Sequence, residues 1–390
     1  MKRPSRKFLL TGLLVAFISA TLALLFSEWI IRRVHPQNTL QQAQLTSPRV
    51  FKKSKLVPSS LLNNLDTQHI ALTREFSSHY TTNSLGYRGP EFTVKKPANT
   101  YRILMLGDSL TFGWGVEDNQ TFSYLLPDFF DNQYQGKNLE IINAGFYDGY
   151  APDNYYAYLK AEGLELEPDL VILNLFPWND ISDLKEMVWE TTDDQNLPTS
   201  ITSTDRIVRN GYHTEPVTSN WKFRLPILKN SHLAILAMNN LEQNSPQLVE
   251  KIKTLLKVHV PDNIKREEAE NCIYQLDCTQ RMTDLWQKLD TVILGINNLL
   301  LSNQTPLLVH LLPAHTQTIP LVEKLIESSR PQPQQRFKDF FDKNQITYLD
   351  SLPYFLDHDY QNYFYSIDGH PNEKGHQRLA TALADYLNSL

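Results

Sequence analysis

Cysteine is scarce in this chain, with two residues among 390. Two thiols exclude a disulfide-dense scaffold, and they exclude a zinc site made of cysteines alone, which needs three or four. A basic surplus is also missing, because 43 acidic residues outnumber 37 basic ones and the net charge is −6. We therefore expect no nucleic-acid partner. The apolar fraction of 41% and the charged fraction of 21% are typical of a globular protein.

A long apolar run occurs only near the N-terminus. Residues 8–27 contain no charged side chain and, as a helix, span roughly 30 Å, the thickness of a bilayer core. The basic residues beside the run are Lys2, Arg3, Arg6 and Lys7 before it, and Arg32 and Arg33 after it. The positive-inside rule then places the N-terminus in the cytoplasm and the rest outside it, in the periplasm or at the cell surface. We expect a single membrane pass through residues 8–31.

A cleaved signal peptide is the alternative interpretation of this segment. The run is long for a signal peptide, and Glu28-Trp29-Ile30-Ile31 continues it without a clean small-x-small cleavage site, so an uncleaved anchor is favoured. Outside the cytoplasm, Cys272 and Cys278 are expected to form a disulfide, with two unrelated buried thiols as the alternative.

The remaining chain alternates short apolar runs with helical patterns. Predicted strands lie at 101–106, 139–143, 169–175, 306–312 and 346–349, and predicted helices at 119–134, 152–163, 281–302, 318–344 in pieces, and 372–389. This alternation predicts a parallel sheet covered by helices on both faces. The expected domains are an anchor at 1–36, a tether and lead-in at 37–98 that becomes ordered near 83–92, and a main α/β domain at 99–390.

An insertion at about 184–280 interrupts the alternation. Its part at 190–220 is rich in Thr, Ser and Asp and is predicted to be loop, whereas 226–258 has helical spacing of leucines. We expect a partly helical cap over the strand ends.

The end of the first predicted strand carries a candidate nucleophile. Ser109 follows Gly107-Asp108 at the point where ligands bind in open parallel sheets. Asp368 and His370 precede the last predicted helix, and a turn at Gly369 lets the carboxylate reach the imidazole. His370 could then accept the proton of Ser109. The alternative for each segment is an ordinary turn or helix cap.

Two further strand ends carry candidate oxyanion donors. Asn179, after the third strand, could donate from its side-chain amide. After the second strand, Gly145 or Gly149 could bring a backbone N–H close to a substrate, and Gly149 is favoured. Each of these residues could equally be an ordinary turn residue.

These motifs together resemble the SGNH hydrolases, the GDSL esterase/lipase superfamily. The resemblance covers about residues 83–390 without the insertion and rests on G-D-S-L at 107–110, N-A-G and G-Y at 143–150, W-N-D at 178–180 and D-G-H-P-N at 368–372. It implies a flavodoxin-like three-layer α/β/α sandwich with a five-stranded parallel sheet of order 2-1-3-4-5. It also implies a Ser109–His370–Asp368 triad and an oxyanion hole from Ser109 N–H, Gly149 N–H and Asn179, without metal or cofactor.

Three departures from the family pattern stand beside the resemblance. Pro177 replaces the usual glycine of the third block, Asp368 and His370 are two residues apart instead of three, and the second block has one extra residue before Gly149. The N-S-L-G-Y-R-G segment at 83–89 resembles membrane-anchored bacterial members, and its Arg88 is expected to be structural.

The leading functional hypothesis is a membrane-anchored, extracytoplasmic serine esterase that acts on a glycan or lipid ester, including O-acetyl groups. An O-acyltransferase on an envelope polysaccharide is the alternative among enzymes. A non-catalytic glycan-binding assembly factor is the alternative of another class, and the presence of Ser109, His370 and Asp368 argues against it.

Overall fold

The structure, a computed structural model, describes residues 6–37, 39, 49–71, 73–147, 150–177, 179–184, 187–203, 208–209, 212–213, 222, 228–255, 280–318, 332–357 and 359–390. Cys272 and Cys278 lie outside these residues.

The strands are β1 (Phe51–Lys52), β2 (Ser60–Leu61), β3 (Asp66–Ile70), β4 (Ser77–Thr81), β5 (Thr100–Gly107), β6 (Gln133–Tyr134), β7 (Lys137–Gly145), β8 (Leu170–Leu175), β9 (Met187–Thr192), β10 (Pro198–Ser203), β11 (Val208–Arg209), β12 (Tyr212–His213), β13 (Leu307–Leu311) and β14 (Tyr348–Asp350).

The α-helices are α1 (Arg6–Val34), α2 (Ser109–Phe112), α3 (Phe122–Leu125), α4 (Pro152–Ala161), α5 (Asp180–Asp183), α6 (His232–Asn244), α7 (Pro246–Leu255), α8 (Gln280–Ser302), α9 (His315–Thr318), α10 (Gln332–Asn344) and α11 (Glu373–Asn388). Short 3-10 helices lie at Asp118–Gln120, Leu126–Phe130, Gly163–Leu166, Leu352–Phe355 and Tyr360–Asn362.

The chain divides into two compact units. The first comprises Met1–Ser47 and Glu215–Pro261, and the second Pro48–Thr214 and Asp262–Leu390. In the first unit, the segment Thr11–Val34 of α1 is long and apolar enough to cross a membrane. A signal sequence near the N-terminus meets the same criteria of length and apolar composition.

Helix α6 of the insertion packs against α1 within the first unit. The Glu28 carboxylate accepts hydrogen bonds from the Ser231 hydroxyl at 2.8 Å and from the N–H groups of His232 at 3.0 Å and Leu233 at 2.8 Å. These are donors that a helix leaves unpaired at its N-terminus, so Glu28 caps α6. The helical pattern predicted at 226–258 is confirmed by α6 and α7, and the contact with α1 was not predicted.

The second unit is built on a six-stranded sheet of order β14-β13-β8-β5-β7-β6. Its first five strands pair in parallel, and β6 adds a short antiparallel edge to β7. Renumbered along the chain, the parallel strands have the expected order 2-1-3-4-5, so the predicted fold class is confirmed. The added strand is a correction to the predicted five.

Side chains of β5 alternate between two cores, as the pleat of a strand requires. Leu104 and Leu106 join a core under α4, α8 and α10, whereas Ile103 and Met105 join a core under α11. All four are fully buried, which explains the uninterrupted apolar run in the sequence. The sheet therefore has helices on both faces, as expected.

Three other predictions need correction. The helix expected at 119–134 is broken into short turns, because Pro127 lacks an N–H and Asp131 and Asn132 have φ of 49° and 59° before β6. The loop expected at 190–220 contains the β9–β10 hairpin, which packs on α4 and exposes its polar side chains to water. The pieces expected within 318–344 appear as α10, whereas residues 319–331 lie outside the described part of the chain.

The predicted tether at 37–98 is also ordered over much of its length. Strands β1 to β4 belong to the second unit, and buried side chains such as Phe51, Tyr80 and Leu61 form a core with Phe112 and Tyr147. Apolar residues spaced among Ser and Asn are sufficient for short paired strands, although the polar composition resembles that of a linker. From here on, the name lead-in means only the described residues between 49 and 92 of this segment.

Candidate active site

Ser109 is held at the carboxyl end of the central strand. Strand β5 ends at Gly107, the Asp108 carboxylate accepts the N–H of Leu110 at 2.9 Å, and Ser109 is the first residue of α2. Close packing requires two glycines here, because a Cβ on Gly107 would lie 2.0 Å from Thr111 Oγ1 and one on Gly145 would lie 2.2 Å from Phe112 N. The G-D-S motif thus places Ser109 on a short helix directly against the strand ends.

His370 and Asp368 lie beside Ser109 although the chain separates them by more than 250 residues. Ser109 Oγ is 2.9 Å from His370 Nε2, and His370 Nδ1 is 2.6 Å from Asp368 Oδ1. Gly369 has φ of 84°, a conformation that favours glycine, and this turn brings the carboxylate back to the ring. The structure therefore brings together the three side chains predicted from the sequence in hydrogen-bonding order.

The electrostatics of Asp368 favour the ionised carboxylate. Partial burial raises the pKa of Asp368. The hydrogen bonds and charge of His370 and the indole N–H of Trp114 lower it by more, so the pKa lies below its ordinary value. An ionised Asp368 accepts from Nδ1–H, which leaves Nε2 of a neutral His370 free to accept the Ser109 proton.

Trp114 contacts all three residues of this triad. Its backbone N–H donates to the Ser109 carbonyl at 2.9 Å, and its indole Nε1 lies 3.4 Å from Asp368 Oδ2. Its ring stacks on His370 with centroids 5.6 Å apart and planes inclined by 29°. Trp114 therefore links the loop after Ser109 to the loop that carries Asp368 and His370.

Arg88 of the lead-in fixes the loop after Ser109. Its guanidinium donates to the carbonyls of Phe112 at 2.9 Å, Gly113 at 2.6 Å and Val116 at 2.6 Å, and to the Asp118 carboxylate at 2.7 Å. It also lies 4.5 Å from the centroid of the Tyr80 ring. Arg88 is buried and donates four side-chain hydrogen bonds, so the expectation of a structural role agrees with its contacts, which anchor the loop after Ser109.

Gly115, the end of that loop, is held from two directions. Its N–H donates to the Tyr80 hydroxyl at 2.9 Å, and its carbonyl accepts from Ser78 at 2.5 Å and Tyr365 at 2.7 Å. Tyr80 and Ser78 belong to β4, whereas Tyr365 belongs to the loop of His370. The lead-in thus forms one wall of the candidate site. This wall was not predicted, because no sequence motif marks Ser78 or Tyr80.

Of the two glycines considered as oxyanion donors, the structure describes only Gly145. Gly145 donates its N–H to Asn143 Oδ1 at 2.9 Å and serves the close packing with α2, which favours a structural role. Gly149, the favoured donor, lies outside the described residues, as does Trp178.

Asn179 immediately precedes α5, and its side chain lies beside Asp108, next to the nucleophile. Its Oδ1 is buried with no hydrogen-bond partner among the residues that the structure describes. Its position agrees with the order of strand-end loops inferred from the sequence.

Asp108, which precedes Ser109, and Asp180 are two buried carboxyl groups. Burial raises the pKa of Asp108, against the opposing effects of the Leu110 N–H, Asn179 and His370. Burial and the nearby charge of Asp108 raise the pKa of Asp180 well above its usual range, although Asp180 accepts from the Phe176 N–H at 2.7 Å. Burial therefore disfavours the ionised form of both carboxyl groups.

The aromatic residues near the motifs do not form one surface. Phe355, Tyr363 and Phe364 are buried in the core under α11, whereas Trp114 and Tyr365 contact the triad loops. Core packing is therefore the main role of the C-terminal aromatic residues.

No protein-family model matches the sequence, and no curated protein matches it significantly. Solved structures that match include a GDSL-like lipase from Bacteroides thetaiotaomicron, with 12% identity, 74% of this chain and 88% of that chain covered, and a TM-score of 0.34. A member of the lipolytic protein G-D-S-L family from Veillonella parvula matches with 13% identity, 74% and 100% coverage and a TM-score of 0.35.

A catalytic mutant of an acetylxylan esterase from Geobacillus stearothermophilus matches with 12% identity, 74% and 94% coverage and a TM-score of 0.35. These descriptions name the same class of proteins that the sequence motifs resemble. The strand order defines the fold class, and the side-chain geometry defines the candidate site.

Proposed function

We propose that the chain is an SGNH-type serine esterase. The observation that carries this proposal is the hydrogen-bonded series Ser109–His370–Asp368, with distances of 2.9 and 2.6 Å, at the carboxyl end of a parallel sheet. A nucleophile, a base and a carboxylate that orients the base are the groups that acyl transfer requires.

The reaction follows from this geometry. Ser109 Oγ attacks the carbonyl carbon of the ester while His370 Nε2 takes its proton, and the new imidazolium is stabilised by Asp368. The tetrahedral intermediate then expels the alcohol, which takes the proton from Nε2 and leaves an acyl group on Ser109. Water attacks this acyl-enzyme with His370 again as base, which releases the carboxylic acid and regenerates Ser109.

The negative oxygen of the intermediate needs hydrogen-bond donors. We assign this role to the Ser109 N–H, which α2 places at the helix start, to the Asn179 amide, and to the Gly149 N–H. The proximity of two of these donors supports the assignment, because the Asn179 side chain lies beside Asp108, the residue that precedes Ser109.

Turnover by the full chain in detergent tests the activity. Nitrophenyl acetate, acetylated oligosaccharides and phospholipids cover short esters, glycan O-acetyl groups and lipid esters, and parallel incubation with an acceptor glycan separates hydrolysis from acyl transfer. We expect release of the acid by the wild type, and a fall of several orders of magnitude in Ser109→Ala. Equal rates for the two proteins would refute the proposal.

We further propose that α1 anchors the enzyme through residues 8–31 with the second unit outside the cytoplasm. The apolar segment Thr11–Val34 and the basic residues before it support this orientation. A C-terminal alkaline phosphatase fusion should be active, whereas a fluorescent protein that folds only in the cytoplasm should be dark. The reverse pair of results would overturn the orientation.

A further inference from the structure

Glu75 of the lead-in binds the loop that carries the catalytic acid. It lies in the turn between β3 and β4, and its carboxylate accepts hydrogen bonds from three consecutive residues of that loop. Oε1 accepts from the Ser366 hydroxyl at 2.8 Å and the Ile367 N–H at 2.9 Å, and Oε2 accepts from the Asp368 N–H at 2.8 Å. One carboxylate thus fixes the backbone directly before the catalytic Asp–His pair.

The rest of the same loop has internal hydrogen bonds. The Tyr365 N–H donates to the His370 carbonyl at 2.9 Å, and the Gly369 N–H donates to the Tyr365 carbonyl at 3.0 Å. These bonds set the local turn, but they do not tie it to another part of the protein. Among the described residues, Glu75 connects the backbone N–H of Asp368 to another segment of the chain, whereas the Asp368 carboxylate is hydrogen-bonded to His370.

The charge of Glu75 suits this task. Burial raises the pKa of Glu75. The N–H groups of Ile367 and Asp368 and the hydroxyls of Ser366 and Thr73 lower it by more, so the pKa lies below its usual range. Glu75 therefore stays ionised at neutral pH, and charge-assisted hydrogen bonds are stronger than neutral ones.

We propose that Glu75 is a positioning residue for the triad acid. It holds the Asp368 backbone so that the carboxylate meets His370 Nδ1, and it makes the lead-in a required part of the active site and not only a connection to the anchor. This inference rests on the proposed esterase function. Small displacements of catalytic groups cost up to about 10²-fold in rate, because reaction requires aligned atoms.

The full chain offers a matched control in Glu91. Its carboxylate accepts from the Ser84 N–H at 2.7 Å and the Ser84 hydroxyl at 2.7 Å, so it makes the same kinds of bond within the lead-in and touches no triad loop. We expect Glu75→Ala to lower kcat by about 10- to 100-fold with KM unchanged, since the Glu75 carboxylate is engaged by the loop of Asp368. Glu75→Gln, which keeps one acceptor oxygen, should retain more activity, and Glu91→Ala should match the wild type.

Hydrogen exchange supplies a readout that is independent of turnover. In Glu75→Ala, the peptide that contains Ile367 and Asp368 should exchange faster, and in Glu91→Ala it should not. Faster exchange together with a selective loss of kcat supports the inference. Wild-type kcat and unchanged exchange in Glu75→Ala would overturn it, as would an equal loss of activity in Glu75→Ala and Glu91→Ala. If the wild type hydrolyses no ester while exchange responds as expected, the proposed function fails and the contact of Glu75 with the loop stands.

Discussion

Replacing Asp368 by asparagine removes the negative charge beside His370 while nearly preserving the shape of the site. The Asp368 Oδ1 oxygen lies 2.6 Å from His370 Nδ1, and the Asp368 side chain is only 17% exposed. During acyl transfer His370 becomes positively charged. At about 4 Å between charge centres and an effective dielectric constant of about 20, the carboxylate stabilises that charge by about 4 kcal/mol.

The expected rate loss follows from this free energy. At about 1.4 kcal/mol for each factor of ten, loss of about 4 kcal/mol lowers the acylation rate by about 10³-fold. The asparagine amide can also donate to Nδ1, which favours the tautomer with a proton on Nε2, and that tautomer cannot accept from Ser109. Together the two effects predict a loss of 10³- to about 10⁴-fold for Asp368→Asn.

A second Asp–His pair provides the control. Asp66 Oδ1 lies 2.6 Å from His79 Nε2, but their side chains are 78% and 48% exposed and they touch no triad residue. Asp66→Asn should therefore leave the rate of acylation unchanged. The assay is the stopped-flow burst of nitrophenol from nitrophenyl acetate at neutral pH. A loss below tenfold in Asp368→Asn, or similar losses in both variants, would refute this reasoning.

Three further predictions concern the surroundings of the triad. Asn179→Ala should lower kcat by about 10²- to 10³-fold without changing thermal unfolding, and survival of activity would exclude its amide from the oxyanion site. Arg88→Ala should lower the free energy of unfolding by about 3–5 kcal/mol in chemical denaturation, because it removes the Arg88 donor from three loop carbonyls and from the Oδ1 oxygen of Asp118; a change below about 1 kcal/mol would contradict this. Burial lowers the pKa of His376 to about 3. Between about pH 6.5 and 3 the unfolded chain therefore binds more protons than the folded chain, because an exposed His has a pKa of about 6.5. The free energy of unfolding should fall as the pH falls through that window. His376→Phe should weaken this pH dependence in thermal melts, and an unchanged dependence would refute the assignment.

The parallel sheet could be predicted because its strands are buried on both faces. A strand such as β5 has apolar side chains in both cores, and this appears in the sequence as an uninterrupted apolar run before Gly107. The antiparallel strand β6 could not be found in this way, because it has only two residues and follows turn residues in the left-handed conformation. Its position is determined by pairing with β7, which is a tertiary contact.

The arrangement of Ser109, His370 and Asp368 could be predicted because local motifs carry it. G-D-S-L and D-G-H-P-N each combine a proposed catalytic side chain with the turn or cap that presents it. The supporting residues could not be predicted in the same way. Glu75 and Tyr80 contact loops that are distant in the sequence, and nothing in their neighbourhood in the sequence distinguishes them from surface or core residues. The proposed active site therefore extends into the segment that composition alone assigns to a tether.

Covalent labelling of Ser109 tests the central claim most directly. A fluorophosphonate forms a bond to an activated serine oxygen, and peptide mass spectrometry identifies the residue modified. The account predicts stoichiometric labelling of the full chain on the peptide that contains Ser109, no labelling in Ser109→Ala, and much slower labelling in Asp368→Asn. Labelling at another residue, or no labelling of the wild type, would contradict the assignment of Ser109 as the nucleophile.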